Sequence, residues 1–417
     1  MRLLFLSNFY PPHGQGGYEQ LCQEVARLLA GRGHDIVMLS GRVAGSGSRD
    51  TDGEVDVRRV LELEVEGGMA HTAARLATGG RQRSERRNIA AVEAIIAEIA
   101  PDAALIWGLW NVPRSVPAAV ERRLPNRTAY YLCDYWPTLP NAYVQRLQAP
   151  ARRGYAGWAK RSLGLLLLPL ARAEEPAALS FGAAACVSYA VRDTLAQQGI
   201  PVGNAPIIRN GIRLADFARA GKPSAPDGPL RLIYTGRLSP EKGVHVALAA
   251  LGLLDESIAG RCEMVVAGSG DEAYIRDLRS IAAGGRVPVH FTGLVPREAV
   301  ARLLADSHVL VFPSEWAEPL ARAVIEAMAA GLVVVGTTTG GTGEVLIEGE
   351  TGLTFHAGDA AGLARQISRL AGDPALRLSL AAAGQQLVLH DFDIEKTADQ
   401  LEDLLAALAV SSQGQLA

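Results

Sequence analysis

LRLIYTG (230–236) is a short, mostly apolar run that stops at a glycine and opens into the loop RLSPEKGV (237–244). The same design recurs downstream in EMVVAG (263–268), VPVHFTG (287–293), HVLVFPS (308–314) and LVVVGT (332–337). Upstream, LLFLS (3–7), DIVMLS (35–40), DAALIWG (102–108), TAYYLCD (128–134) and AAACVS (183–188) form a second set. Near-continuous apolar strands separated by helical stretches predict parallel sheets buried on both faces. Two such sets predict an α/β protein of two doubly wound, Rossmann-like domains. Their expected bounds are 1–203 and 204–389, with a connection near 200–206 and a closing helix, about 390–417, returning to the first domain. AGKPSAPDGP (220–229), rich in Pro and Gly, predicts a surface loop.

Composition agrees with this size. A chain of 417 residues exceeds one comfortable core. It is 48% hydrophobic and 20% charged, with a formal net charge of −3, so no basic field invites nucleic acid. Its 4 cysteines (Cys22, Cys133, Cys186 and Cys262) have no CxxC spacing, which fits free thiols in a reducing compartment. The N-terminal run is too short for a signal peptide and no stretch is long enough to span a membrane, so a cytoplasmic location is expected. Two segments break the rhythm of strands and helices: 67–87 ends in a basic run, and ARRGYAGWAKRSLGLLLLPLARA (151–173) mixes Arg and Lys with Trp158 and a Leu cluster. Segment 151–173 suits either peripheral contact with the inner face of the membrane or a solvated helix interrupted at Pro169.

The densest chemistry lies in the second half. Arg237 and Lys242 follow a strand end, where open α/β sheets bind ligands, and two cations bracketing a loop can clamp a diphosphate. FPSEWAEPLARAVIEAMAAG (312–331) then places Glu318 before Pro319 and Glu326 in a helical run. A helix starting at Pro319 would turn N–H groups near Leu320 and Ala321 toward an anion. Along such a helix Glu326 would lie about 12 Å beyond Glu318 at ~1.5 Å per residue. That is roughly the span from the sugar to the ribose of a nucleotide sugar, and each carboxylate can accept hydroxyl hydrogen bonds.

These residues resemble the donor site of glycosyltransferase family 4, the large retaining family often called glycosyl transferases group 1. NG (210–211), GSG (268–270), FTG (291–293), PSEW (313–316), GGTGE (340–344) and TGL (351–353) agree with it in order and spacing. The resemblance is dense over about 205–400 and implies a GT-B fold, its two domains facing across a cleft, and sugar transfer from a nucleotide diphosphate. It assigns the diphosphate to Arg237 and Lys242, the ribose to Glu326, the transferred sugar to Glu318, and the base to backbone around Gly293, Leu294 and Val295. Gly236, Gly268, Leu320 and Ala321 complete the donor side; the family's commonest form has Gly where Ala321 stands.

FYPPHGQGGYE (9–19) is similar to the family's glycine loop, so Gly16 and Gly17 are expected near the donor phosphates, with Glu19 supporting the loop. Relatives often carry His just before the Asp of YYLCDYWP (130–137); here Cys133 stands before Asp134. Asp134 is a candidate for the sugar side, whereas Cys133 has nothing nearby to activate it and reads as a packed residue. WGLW (107–110) offers Trp110 either to an acceptor sugar or to the core. GSGDEA (268–273) also matches a loose dinucleotide fingerprint, but no acid follows some twenty positions on, so a tight turn is the better reading.

The resemblance implies retention of configuration without a metal or other cofactor, with a UDP- or GDP-sugar as substrate. The acceptor is expected to be a saccharide, a lipid-linked sugar or a small molecule. Alternatives are a nucleotide-sugar epimerase of the same fold and a non-catalytic nucleotide-sugar sensor.

Overall fold

The computed structural model describes all residues except 15, 150–154, 174–176, 218–227 and 414–417, and describes 155–160 and 411–413 by backbone alone. The loop expected at 220–229 therefore lies largely outside the described residues, as do 151–154 of the basic Leu/Trp segment.

The chain divides into two compact units. In the first, β1 (Arg2–Leu6), β2 (Asp35–Gly41), β3 (Arg49–Asp52), β4 (Val55–Leu61), β5 (Ala103–Ile106), β6 (Thr128–Leu132) and β7 (Ala183–Cys186) form one sheet. Its order is β3-β4-β2-β1-β5-β6-β7, parallel throughout except for the β3–β4 pair. Leu3, Phe5, Met38, Leu105 and Tyr131 are buried, as strands covered on both faces require.

In the second unit, β8 (Leu230–Thr235), β9 (Cys262–Ala267), β10 (Val289–Gly293), β11 (Val309–Phe312), β12 (Val333–Gly336) and β13 (Gly352–Thr354) follow. They lie in the order β10-β9-β8-β11-β12-β13, all parallel. Leu232, Met264, Val266, Val311, Val333 and Val335 are part of one buried core. Strand order reverses between β8 and β11, and between β1 and β5 in the first unit. Loops leaving such neighbouring strands in opposite directions part to form a crevice at the carboxyl ends, the usual ligand position of open α/β sheets.

The first unit runs on through Ile208, beyond the connection expected near 200–206. The reason is local: Cys186 N–H donates to Pro206 O at 3.0 Å and Ile208 N–H to Cys186 O at 3.0 Å, which zips this segment onto the end of β7. From Ala398 onward the closing helix Ile394–Gln413 also belongs to the first unit. Glu402 binds Arg32 Nη1 at 2.6 Å and His34 Nε2 at 2.7 Å there.

Two helical expectations need correction. Pro169 does not interrupt its helix, which runs Tyr155–Arg172. The helix carrying Glu326 starts at Arg322, not at Pro319.

Candidate functional site

The second unit brings the loop after β8 beside the loop after β11. Tyr234 Oη donates to Arg237 O at 2.7 Å, shaping the turn that leaves β8, and the Arg237 residue is exposed. Backbone N–H groups of Glu315 and Trp316 donate to Glu241 O at 2.9 and 3.1 Å, which joins the two loops directly. Across that seam Lys242 Nζ donates to Glu318 Oε1 at 2.5 Å, and Ser314 Oγ donates to the same oxygen at 2.7 Å. Glu318 is buried, so a cation and a hydroxyl on one oxygen offset the cost of taking its charge out of water.

The later start of the Glu326 helix follows from the same region. Gly341 N–H donates to Glu318 O at 2.7 Å, Ser188 Oγ to Pro319 O at 2.6 Å, and Asn210 Nδ2 to Leu320 O at 3.1 Å. Ser188 is itself part of the second unit. With these carbonyls engaged from outside, the segment stays non-helical until Ala321, whose φ of −73° and ψ of 102° make it the N-cap residue. The first half of the Glu318–Glu326 interval is therefore not helical, and the helical rise does not set their separation. Close approach demands glycine here: a Cβ on Gly341 would lie 2.0 Å from Pro319 O.

Glu326 is buried, and its Oε1 accepts from Arg322 Nε at 3.1 Å and pairs with Arg297 Nη1 at 3.3 Å. Arg297 opens the helix that follows Gly293, Leu294 and Val295, so the expected base loop and ribose acid are tied through one guanidinium. Leu294 is 68% exposed, an apolar side chain held out beside that loop. Gly268 supports the site indirectly. Its φ is +153° and a Cβ would fall 1.8 Å from Gly236 O, so it lets the turn after β9 lie against the turn after β8. GSGDEA is thus a packing turn, with Asp271 capping the next helix through Ala273 N at 2.9 Å.

The first unit holds the remaining candidates at the carboxyl ends of its strands. Gly16 is the N-cap of the helix Gly17–Gly31, and a Cβ on it would meet Glu19 Oε2 at 2.4 Å. The Glu19 carboxylate therefore lies against Gly16 at the start of that helix. Asp134 Oδ1 accepts from Trp136 N at 2.9 Å, and burial pushes its carboxyl up to about 6. Burial also pushes the Cys133 thiol well up, with Asp134 adding to it, so a thiolate nucleophile is disfavoured there. The two tryptophans of WGLW separate cleanly: Trp107 is core, 5.1 Å centroid to centroid from Tyr131, while Trp110 is 41% exposed.

Comparison with known proteins fits this arrangement. A model of the family described as glycosyl transferases group 1 matches residues 218–387. Glycogen synthase of Mycobacterium tuberculosis H37Rv is 27% identical, over 95% of this chain and 92% of its own length. Alpha-maltose-1-phosphate synthase of the same strain is 30% identical over 59% of this chain and 68% of its own length. The chain belongs to the glycosyl transferases group 1 family.

As a member of the glycosyl transferases group 1 family, it transfers a sugar from a nucleotide-sugar donor, and these relatives lend no support to the epimerase or sensor alternatives. Sucrose-phosphate synthase from Thermosynechococcus elongatus shares the GT-B fold at a TM-score of 0.73 and 18% identity, covering 98% of this chain and 99% of its own. Anabaena HepE, solved in complex with UDP and glucose, matches at 0.66 and 19%, covering 98% and 100%. Within this member of the family, sequence reasoning gave Asn210 and Ser314 no role, though NG and PSEW contain them, and missed Arg297 and Arg322. The signal for the arginines was available: Arg322 stands four residues before Glu326, the spacing of a helical ion pair.

Proposed function

We propose that this chain is a retaining, metal-independent hexosyltransferase of family 4, using a UDP- or GDP-sugar. The observation that carries the reading is the junction of Lys242, Ser314 and Glu318, which sets a cation and a buried carboxylate together at the switch point of the second sheet. An ammonium has three donors, so Lys242 can serve Glu318 and still reach diphosphate oxygens. Arg237, exposed on the same loop, supplies the second cation. Their catalytic value is to stabilise charge that builds on the departing nucleoside diphosphate. Glu318 accepts from hydroxyls of the transferred sugar. Glu326, with Oε1 held by Arg297 and Arg322, offers its other oxygen to the ribose diol. Backbone at Gly293–Val295 meets the base, and Gly236, Leu320 and Ala321 shape the donor pocket.

In this reading the acceptor attacks the same face that the diphosphate leaves, and a phosphate oxygen takes its proton. The first unit is the acceptor side, with Gly16, Gly17, Glu19, Trp110 and Asp134 on its ligand-bearing loops. The deciding experiment incubates the full chain with a panel of UDP- and GDP-sugars and follows free diphosphate. Release from one donor, lost in Lys242→Ala, supports the reading; release that persists unchanged in that variant refutes the site.

We also place the enzyme at the cytoplasmic face of the membrane as a peripheral protein. No helix among the described residues is long and apolar enough to cross a membrane. The helix Tyr155–Arg172 holds Leu165, Leu166 and Leu170 exposed, with Arg161 and Arg172 on the same element. Exposed leucines with basic neighbours suit an anionic lipid surface. Cosedimentation with anionic vesicles, lost on Leu165→Ser with Leu166→Ser, is the test.

A further inference from the structure

The first unit contains a cavity of about 50 Å³, lined by Trp110 and, among others, by Glu64, Arg81, Ser115 and Trp136, to which no role has been given. It lies where ligands are expected, because Glu64 follows β4, Trp110 follows β5 and Trp136 follows β6, all at carboxyl ends.

The polar chemistry of its wall is incomplete. Glu64 is only 5% exposed; its Oε2 accepts from Ala142 N at 2.7 Å, while its Oε1 has no partner among the described residues. Trp136 is 2% exposed, and its indole Nε1 likewise lacks an acceptor among them. Ser115 Oγ is a further buried atom with no partner there. Buried polar atoms are rarely left so, because each keeps its desolvation penalty when no partner offsets it. Two nine-tenths-buried side chains that line one cavity, one with an acceptor unmet and one with a donor, specify what would complete it.

The completing group must donate to a carboxylate and accept from an indole N–H. A hydroxyl does both. A phosphate would meet the Glu64 carboxylate with like charge. An alkylammonium would suit Glu64 and the neighbouring Glu85 but has nothing to offer an N–H donor, and it would face Arg81 and Arg114. Arg114 is already committed to the loop, donating to Pro137 O at 2.5 Å and Leu139 O at 3.1 Å. Trp110 at the wall, exposed, supplies the flat apolar surface against which the C–H face of a sugar ring packs. The volume admits a few water-sized groups, enough for one hydroxylated edge of a ring and not for a whole disaccharide.

We propose that this cavity binds the hydroxylated edge of a pyranose, with Glu64 and Trp136 bonding its hydroxyls and Trp110 packing on the ring. Resting on the glycosyltransferase reading, that ring belongs to the acceptor, which makes the acceptor a neutral saccharide, and Glu64 and Trp110 its specificity-determining residues. A charge-assisted bond to Glu64 is the strongest single contact of the set.

The test is ligand-observed saturation-transfer NMR on the full chain, titrating methyl glucoside, methyl mannoside and methyl N-acetylglucosaminide against sodium phosphate and ethylammonium chloride. At least one pyranoside is expected to bind saturably, with Glu64→Ala weakening it at least tenfold and Trp110→Ala several-fold. Glu64→Gln, which keeps the shape, guards against misfolding and loses less than Glu64→Ala. Saturable binding of phosphate or ethylammonium without any pyranoside overturns the proposal, as does pyranoside affinity unchanged in both Glu64→Ala and Trp110→Ala. Diphosphate release by the unmodified chain is read alongside. Release without pyranoside binding sinks the cavity assignment alone; pyranoside binding without release from any donor sinks the transferase reading and leaves the cavity standing.

Discussion

Lys242 Nζ and Glu318 Oε1 lie 2.5 Å apart across 76 residues of sequence, so the loops that follow β8 and β11 are fastened by one charged hydrogen bond. If both groups handle the donor, Lys242→Ala lowers donor turnover by ~100-fold or more, the scale of losing one preorganised charge. Glu318→Gln keeps a hydrogen-bonding group but loses the carboxylate. The double variant is expected to be little worse than Lys242→Ala alone, because the two act as a unit. Diphosphate release rates for the three variants measure this directly.

Gly268→Ala probes the second fastening. The added methyl would sit 1.8 Å from Gly236 O at a φ of +153°, so the turn after β9 has to move away from the turn after β8. A loss of ~2 kcal/mol or more in stability is expected. Urea unfolding reads the loss, and donor KM should rise with it because the Gly236–Lys242 loop loses its backing.

Asp134 gives a pH signature. Its folded-state value, about 6, lies above the ordinary value of ~3.9, so the native protein holds that proton more tightly than the unfolded chain does. The stability it contributes is full below about pH 4 and is lost as pH rises through about 6. Asp134→Asn keeps an oxygen for Trp136 N and removes the buried charge. It is expected to be more stable than the parent by ~1–2 kcal/mol at pH 8, with the gap closing toward pH 4. Urea midpoints across that range check the sign.

Glu402 joins the closing helix to His34 and Arg32, whose hydrogen bonds, that of His34 foremost, hold its carboxyl below the usual range. Glu402→Ala is expected to cost about 1 kcal/mol, since the pair is partly solvated. Hydrogen exchange should speed up in Ile394–Gln413 and around Arg32 together.

The parallel strands were legible because buried strands must be apolar along their length, and Leu3–Leu6 and Val333–Val335 are. β3 and β4 were not, and the reason is chemical. β3 is the exposed run Arg49–Asp52, and β4 buries Arg58 and Arg59. Arg58 is neutralised by a two-pronged pair with Glu98 at 2.6 and 2.8 Å, while Arg59 donates to the carbonyls of Tyr10 and Pro11, both at 2.9 Å. Partners that distant in sequence cannot be read from a hydropathy pattern. Arg237, Lys242, Glu318 and Glu326 stood out because charged residues at strand ends and in apolar helices need a reason. Glu64 did not, because its burial depends on three loops meeting. The start of the Glu326 helix was misplaced because Asn210 and Ser188 hold the carbonyls before it, a tertiary effect that overrides the preference of Pro for a first helical turn.

The placement of residues from Ala398 onward with the first unit has a consequence for biosynthesis. A ribosome releases the chain from the N-terminus, so β1–β7 emerge early, yet Arg32 and His34 wait for Glu402 until all of the second unit has been translated. The second unit has its own sheet and core and can fold while that wait lasts. The first unit is begun first and completed last, and premature termination anywhere before the closing helix leaves it short of a wall.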